Sequence, residues 1–335
     1  MRNISHEYFV HINRNYIKAI NNFWRLNMQR NRISAFMTIL VVLLVFMSHI
    51  TIEAKKITDI KEGTVEIQMD SNEDNEFEID VPDVSGPVRN LPWARDEDFL
   101  KAKEENNAHI LMAAYCSVLI DPLPGESHNV NLAAKSAKGI VIQPGGVFSQ
   151  NQLIGPYTGE RGYKMGTSFA GTNLVKTEGG GVCKIATTLY NVAILSDLEI
   201  VERHNHSMPV NYVPYGQDAT VAYGNKDFRF RNNYDFPILI WSEIIGHRLY
   251  MGIYGRLEPP HVEWVHEITN LVDFPVYYRT NPELKEGEEK VVIKGIRGAT
   301  VKSKVIIRYN DGTTKVKDLG TSFYHPLPKV IERRD

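Results

Sequence analysis

The sequence predicts an α+β protein, β-rich and mixed, with one prominent helix after a glycine loop. Three observations carry that expectation. Short strand-like runs recur from residue 110 to the C-terminus, each bounded by turn residues. Ile185, Leu189, Val192 and Leu195 follow at helical spacing after Gly179-Gly-Gly-Val-Cys183. With 335 residues, 43% apolar and 23% charged, the chain has ample material for a core. The net charge of −2 makes no case for nucleic acid.

Residues 1–32 are polar and basic: Arg2, Arg14, Lys18, Arg25, Arg30 and Arg32 stand against Glu7 alone. Ile33 to Ile52 then runs uncharged apart from His49. That length matches the roughly 20 residues that cross a bilayer as a helix. The basic side predicts a cytoplasmic N-terminus and an extracytoplasmic remainder. A cleaved signal peptide ending near Ala54 is the competing expectation. Residues 53–90 form an acidic, proline-containing tether, with Asp70 to Asp80 as its solvated part.

Globular texture begins near residue 91. Asp96 to Asn107 is helix-compatible, and Ile110 to Ile120 is an apolar strand carrying Cys116, expected to be a buried, inert thiol. Asp121 to Gly125 reads as a turn, Asn129 to Lys138 as a short helix ended by Gly139, and 140–142 as a strand. Seven glycines between 145 and 171 predict loops shaped by the backbone. After the helix that starts near Val182, four strand-like pieces follow at 199–202, 210–213, 219–223 and 228–231. A hairpin closes at Ile245-Gly246-His247, and Glu258-Pro-Pro260 marks a boundary. Residues 261–335 read as a small β module with a hairpin at Asn310-Asp-Gly312.

Two cysteines are too few for a disulfide framework, although Cys116 and Cys183 could pair with each other in an oxidising compartment. Cys183 is the candidate nucleophile. Only a thiolate attacks carbonyls well, and a helix N-terminus or nearby histidine favours the thiolate. Gly179, Gly180 and Gly181 let backbone amides converge there, so amides around 181–184 are a candidate oxyanion hole. His204 or His206 is the candidate general base, and Lys184 adds positive charge. Glu202, Arg203 and Asp218 could orient a histidine or bind a carboxylate. A zinc site from His204, His206 and Cys183 is the rival metal reading; no further ligand completes it, and the expectation is no metal and no cofactor. A phosphate loop is excluded because Gly181-Val-Cys183 lacks the Lys-Ser/Thr that would follow the glycine.

The ordered set Phe148-Ser149-Gln-Asn151, Ile154-Gly155-Pro156, Arg161-Gly162-Tyr163, Gly179-Gly-Gly-Val-Cys183, Thr187-Thr-Leu-Tyr190-Asn191, Glu202-Arg-His-Asn-His-Ser207, Tyr212 and Gly216-Gln-Asp-Ala-Thr-Val221 resembles the VanW family over roughly 110–255. Lys184 stands where that family usually has Gln, and Ala186 where Ser is common. The resemblance implies a VanW-like domain over 91–258. Some members are L,D-transpeptidases of peptidoglycan, with the cysteine matching Cys183 as nucleophile. It implies stem peptides as partners, with Arg203, Asn151, Tyr190, Asp218 and Tyr212 as candidate substrate contacts. The 261–335 segment is more weakly similar to five-glycine wall-binding β domains. A catalytically silent peptidoglycan-binding or scaffold protein is the rival implication.

Overall fold

The computed structural model describes residues 78–334, apart from 121, 123, 171 and 172. The basic segment, the apolar stretch 33–52 and the tether up to residue 77 lie outside the described residues. Among the described residues no helix is long and apolar enough to cross a membrane. The described residues form one compact unit.

A five-stranded antiparallel sheet organises the unit, in the order β1-β2-β10-β9-β3. Its strands are β1 (Gly86–Pro87), β2 (Ile110–Val118), β3 (Val141–Ile142), β9 (Ile238–Ile245) and β10 (Arg248–Gly255). The hairpin β9–β10 turns at Gly246, whose φ of 58° suits glycine. β1 lies within the stretch that composition assigns to the tether. Pro87 fits because β1 is an edge strand, where a missing amide donor costs least.

Both faces of this sheet are covered, so its central strands read as near-continuous apolar runs. Ile238 and Ile240 of β9, with Leu249, Met251 and Ile253 of β10, point into the larger core. Leu239, Trp241, Tyr250 and Tyr254 alternate with them into a second core. A bulge at Met112, between the pairs Leu111–Tyr254 and Ala113–Ile253, shifts the phase of β2.

The second core is closed by α1 (Glu97–Asn106). Asp96 caps its first turn by accepting from the Phe99 amide at 2.8 Å. Phe99 packs against Trp93, Trp241 and Tyr254, and the Trp93 indole N–H donates to the Tyr254 hydroxyl at 2.8 Å. The larger core is covered by α2 (Pro124–Ala137) and α4 (Cys183–Leu195). α2 starts five residues before the expected Asn129. Pro124 ends the expected turn by serving as the first helical residue, where a missing N–H is no loss.

Between these helices lie β4 (Val147–Ser149), the single turn α3 (Gln150–Leu153), and the hairpin β5 (Met165–Ala170) with β6 (Asn173–Glu178). β7 (Glu199–Glu202) and β8 (Arg229–Arg231) pair beside β4. The expected strands at 210–213 and 219–223 do not form; only an isolated Ala222–Lys226 bridge appears. Side chains take the place of a partner strand there. The Thr187 hydroxyl accepts from the Ala219 amide and donates to the Ala219 carbonyl, both at 3.0 Å.

The remaining strands are β11 (His261–Val272), β12 (Val276–Thr280), β13 (Glu289–Ile296), β14 (Gly298–Arg308), β15 (Thr314–Tyr324) and β16 (Leu327–Arg333). They form two three-stranded sheets, β11-β14-β15 and β12-β16-β13. The first sheet does not stand apart from the rest. Val305 and Ile307 belong to the larger core, and Trp264 packs edge-on against Tyr190 of α4.

Both cysteines are free thiols, so the disulfide alternative fails. Cys116 faces the second core, whereas α4 carries Cys183 against the larger one, and the central sheet separates them. Burial pushes the Cys116 thiol up to about 12, in keeping with an inert, protonated group.

Candidate active site

The glycine triplet has a steric cause at each position. Gly179 and Gly181 hold φ of 72° and 103°, a region that side chains disfavour. A Cβ on Gly179 would overlap the Tyr157 side chain, and one on Gly180 would overlap the backbone of Gly166. β5 therefore lies directly on the loop that feeds α4. Buried Asn129 of α2 fastens the contact: its amide nitrogen donates to the carbonyls of Lys164 and Gly180, and its oxygen accepts from the Lys164 amide. Gly180→Ala should lower stability by about 1–3 kcal/mol through forced backbone displacement. Urea unfolding measures this, and an unchanged midpoint would mean that Gly166 yields freely.

Cys183 is the first residue of α4 and is half-buried. Its sulfur lies 3.3 Å from the Thr220 hydroxyl and receives the Val221 amide at 3.4 Å. It is also hydrogen-bonded to the His206 imidazole. The other ring nitrogen of His206, Nδ1, lies 2.6 Å from Oδ2 of Asp218, and the same oxygen accepts the His206 amide at 2.7 Å. A sulfur, an imidazole and a carboxylate thus stand in line.

The electrostatics follow from that line. Burial would raise the Cys183 thiol, but the His206 hydrogen bond and charge, with Thr220 and the Val221 amide, bring it from 9.0 to about 7. Burial would lower His206, but its bonds to Asp218 and Cys183 raise it to about 9. Burial would likewise raise Asp218, yet His206 and Arg203 hold it near 2. The thiol is lowered and the imidazole raised by the same contact, so near neutral pH the pair favours a thiolate facing an imidazolium.

Asp218 is 1% exposed and fully engaged. Its Oδ1 accepts from Arg203 at 3.1 Å and from the Tyr324 hydroxyl at 2.5 Å. Arg203 is an internal clamp: it also donates to the carbonyls of Asp218 and Gly216 and to the Ser322 hydroxyl. It packs over the ring of Tyr190, which is 2% exposed. Neither side chain faces the pocket. Asn151 ties loops together through the Lys226 carbonyl and the Tyr157 hydroxyl.

The two histidines part company because residues 203–206 are not in a strand, so their rings need not share a side. His204 pairs with Glu202 at 3.0 Å, away from the sulfur. Its carbonyl accepts the Thr220 amide at 2.8 Å, which helps to set Thr220 beside Cys183. Among the described residues no three metal-ligating side chains are gathered to hold an ion.

The sulfur and His206 open onto a pocket of about 500 Å³. Lys184 and Glu126 line it as an ion pair at 3.2 Å, with the Lys184 ammonium over the ring of Tyr212. The Val182 and Lys184 amides are taken by the carbonyls of Gly179 and Gly181. Among the described residues the Gly181 and Cys183 amides make no backbone bond, so these two carry the oxyanion-hole expectation. A thiolate, a proton donor and an adjacent cavity suit attack on an acyl carbon.

Sequence reading missed Thr220, Asn129 and Tyr324 at this centre. Thr220 lay inside a motif already singled out. Tyr324 had no local signal, because it comes from the far side of the expected module boundary.

Residues 125–254 match the family model described as VanW like protein. A Bacillus subtilis protein named uncharacterized protein YoaR is 37% identical over 46% of this chain and 52% of its own length. The vancomycin B-type resistance protein VanW of Enterococcus faecalis is 27% identical over 48% of this chain and 63% of its own length. The chain thus spans little more than half the length of these relatives. A structure of an IgA1 protease G5 domain is 26% identical over 24% of this chain and 98% of that one, with a TM-score of 0.15. A second G5-domain crystal structure is 14% identical over 22% of this chain and 91% of that one, with a TM-score of 0.13.

Proposed function

We propose that this protein is a peptidoglycan L,D-transpeptidase that works through Cys183, a reading supported by the match of residues 125–254 to the VanW-like family model. A cell-wall-associated role fits that domain. The observation that carries the finer reading is the Cys183–His206–Asp218 line beside an open pocket. The apolar stretch 33–52 would anchor the chain with its bulk on the outer face of the membrane, where the substrate lies. The 261–335 module would contribute wall contacts.

In this reading the Cys183 thiolate attacks the carbonyl carbon that joins the third stem residue to D-Ala. The oxyanion forms toward the Gly181 and Cys183 amides. As the C–N bond breaks, His206 gives its proton to the departing D-Ala amine, leaving a thioester. A side-chain amine of a second stem attacks that thioester. His206 takes up the amine's proton and the thiolate departs. The product joins the third residues of two stems, and the enzyme returns to its starting charge state. Asp218 keeps the imidazole oriented throughout.

The full chain in detergent micelles, given a disaccharide-tetrapeptide, should gain the mass of the donor less D-Ala on Cys183 and then form dimers. The rate should climb through about pH 7 as the thiol ionises and fall through about pH 9 as His206 loses the proton it must deliver. A folded protein with an alkylatable Cys183 but neither adduct nor dimer would sink the transpeptidase reading in favour of the binding or scaffold role.

A further inference from the structure

Tyr324 lies in β15, more than a hundred residues beyond His206, yet its hydroxyl is built into the reactive centre. It donates to Oδ1 of Asp218 at 2.5 Å and accepts the Gly216 amide at 2.9 Å. One buried hydroxyl therefore fixes both the carboxylate and the loop that carries it. Tyr324 is 1% exposed and rests on Ala299 and Val301 of β14. Two residues earlier in the same strand, the Ser322 hydroxyl accepts from Arg203 at 2.7 Å. Arg203 in turn is the other donor to Oδ1 of Asp218. Both groups that hold this oxygen thus depend on β15.

We infer that Tyr324, supplied by the C-terminal β module, is a positioning residue for Asp218 and through it for His206 and Cys183. The reactive centre is then completed by β15 rather than contained within residues 125–254. The chemistry is geometric. Oδ2 must face both His206 donors, and a carboxylate anchored only there can rotate about its terminal torsion. Tyr324 and Arg203 on Oδ1 block that rotation. The inference rests on the Cys–His–Asp reading of the site but not on the identity of its substrate.

The test is therefore thiol alkylation, which needs no cell-wall substrate. In the full chain, Tyr324→Phe removes one oxygen and keeps the ring. Iodoacetamide labelling of Cys183 should slow about three- to tenfold at pH 6.5–7 and match wild type above pH 9.5, because the midpoint of the profile moves up. Tyr277→Phe, an exposed tyrosine of the same module, should leave the profile unchanged. A loss of packing alone would lower the melting temperature without moving the midpoint. Superimposable profiles for Tyr324→Phe and wild type would overturn the inference. So would faster labelling at low pH, which would mean that the hydroxyl only draws charge from Asp218. If Tyr324→Phe does not fold, Ser322→Ala reports on the same oxygen through Arg203. A two- to threefold slowing at pH 6.5–7 would then support the inference, and an unchanged profile would overturn it. Transpeptidation that fails while these profiles behave as expected would count against the proposed reaction alone.

Discussion

Asp218→Ala should destabilise the fold by about 3–5 kcal/mol, the range for removing one partner of a buried ion pair. The reason is what stays behind. The Arg203 guanidinium would remain buried without its counter-charge, and the Tyr324 hydroxyl and His206 amide would lose their acceptor. Linear extrapolation of urea unfolding near pH 7 measures the cost, and a loss below about 1 kcal/mol would contradict the account. The pH dependence adds a second check. Asp218 sits near 2 in the fold against 3.8 free, so its contribution is present above the free value and disappears as pH falls through about 2. The variant should lack that part of the acid-induced loss.

His206→Ala should slow alkylation of Cys183 at pH 7 about 50-fold. A thiol near 7 is half ionised at that pH, whereas one at 9.0 is about 1% ionised. Burial would then be opposed only by the Thr220 hydroxyl and the Val221 amide. At pH 10 and above the two proteins should converge in rate, since both then present thiolate. A difference of less than threefold at pH 7 would mean that the start of α4 and Thr220, not the imidazole, hold the sulfur's charge. His204→Ala is the informative partner experiment. Its ring bonds to Glu202, so it should leave the profile close to wild type.

Much of the site was legible because it was local. Gly179-Gly-Gly-Val before Cys183, with a helical stripe after it, points to a thiol at a helix start, and His206 lies only 23 residues further on. The choice between His204 and His206 was not legible. It turns on whether residues 203–206 continue β7, and the chain leaves the strand at Glu202 because Arg203 and His206 are drawn toward Asp218. The strand-like composition of 219–223 misled for a related reason. Its backbone groups find Thr187, Cys183 and the His204 carbonyl in place of a neighbouring strand. Arg203 looked like a substrate contact because a guanidinium just before two candidate histidines could bind a carboxylate. Only the fold shows its donors spent on Asp218, Gly216 and Ser322. The fold class itself was readable from strand-length apolar runs and turn residues. The sharing of the larger core by Val305 and Ile307 was not, since no sequence period announces which remote strand will cover a helix.

The central sheet that keeps Cys116 from Cys183 has a practical consequence. At pH 7 a thiol near 12 is ionised about one part in 10⁵, against about one half for a thiol near 7. Cys116 is also wholly enclosed, whereas Cys183 opens onto the pocket. The wild-type protein thus carries a built-in single-site reporter. A fluorophore attached through a mild electrophile at neutral pH will sit on one sulfur, at the mouth of the pocket, with no second cysteine to remove first.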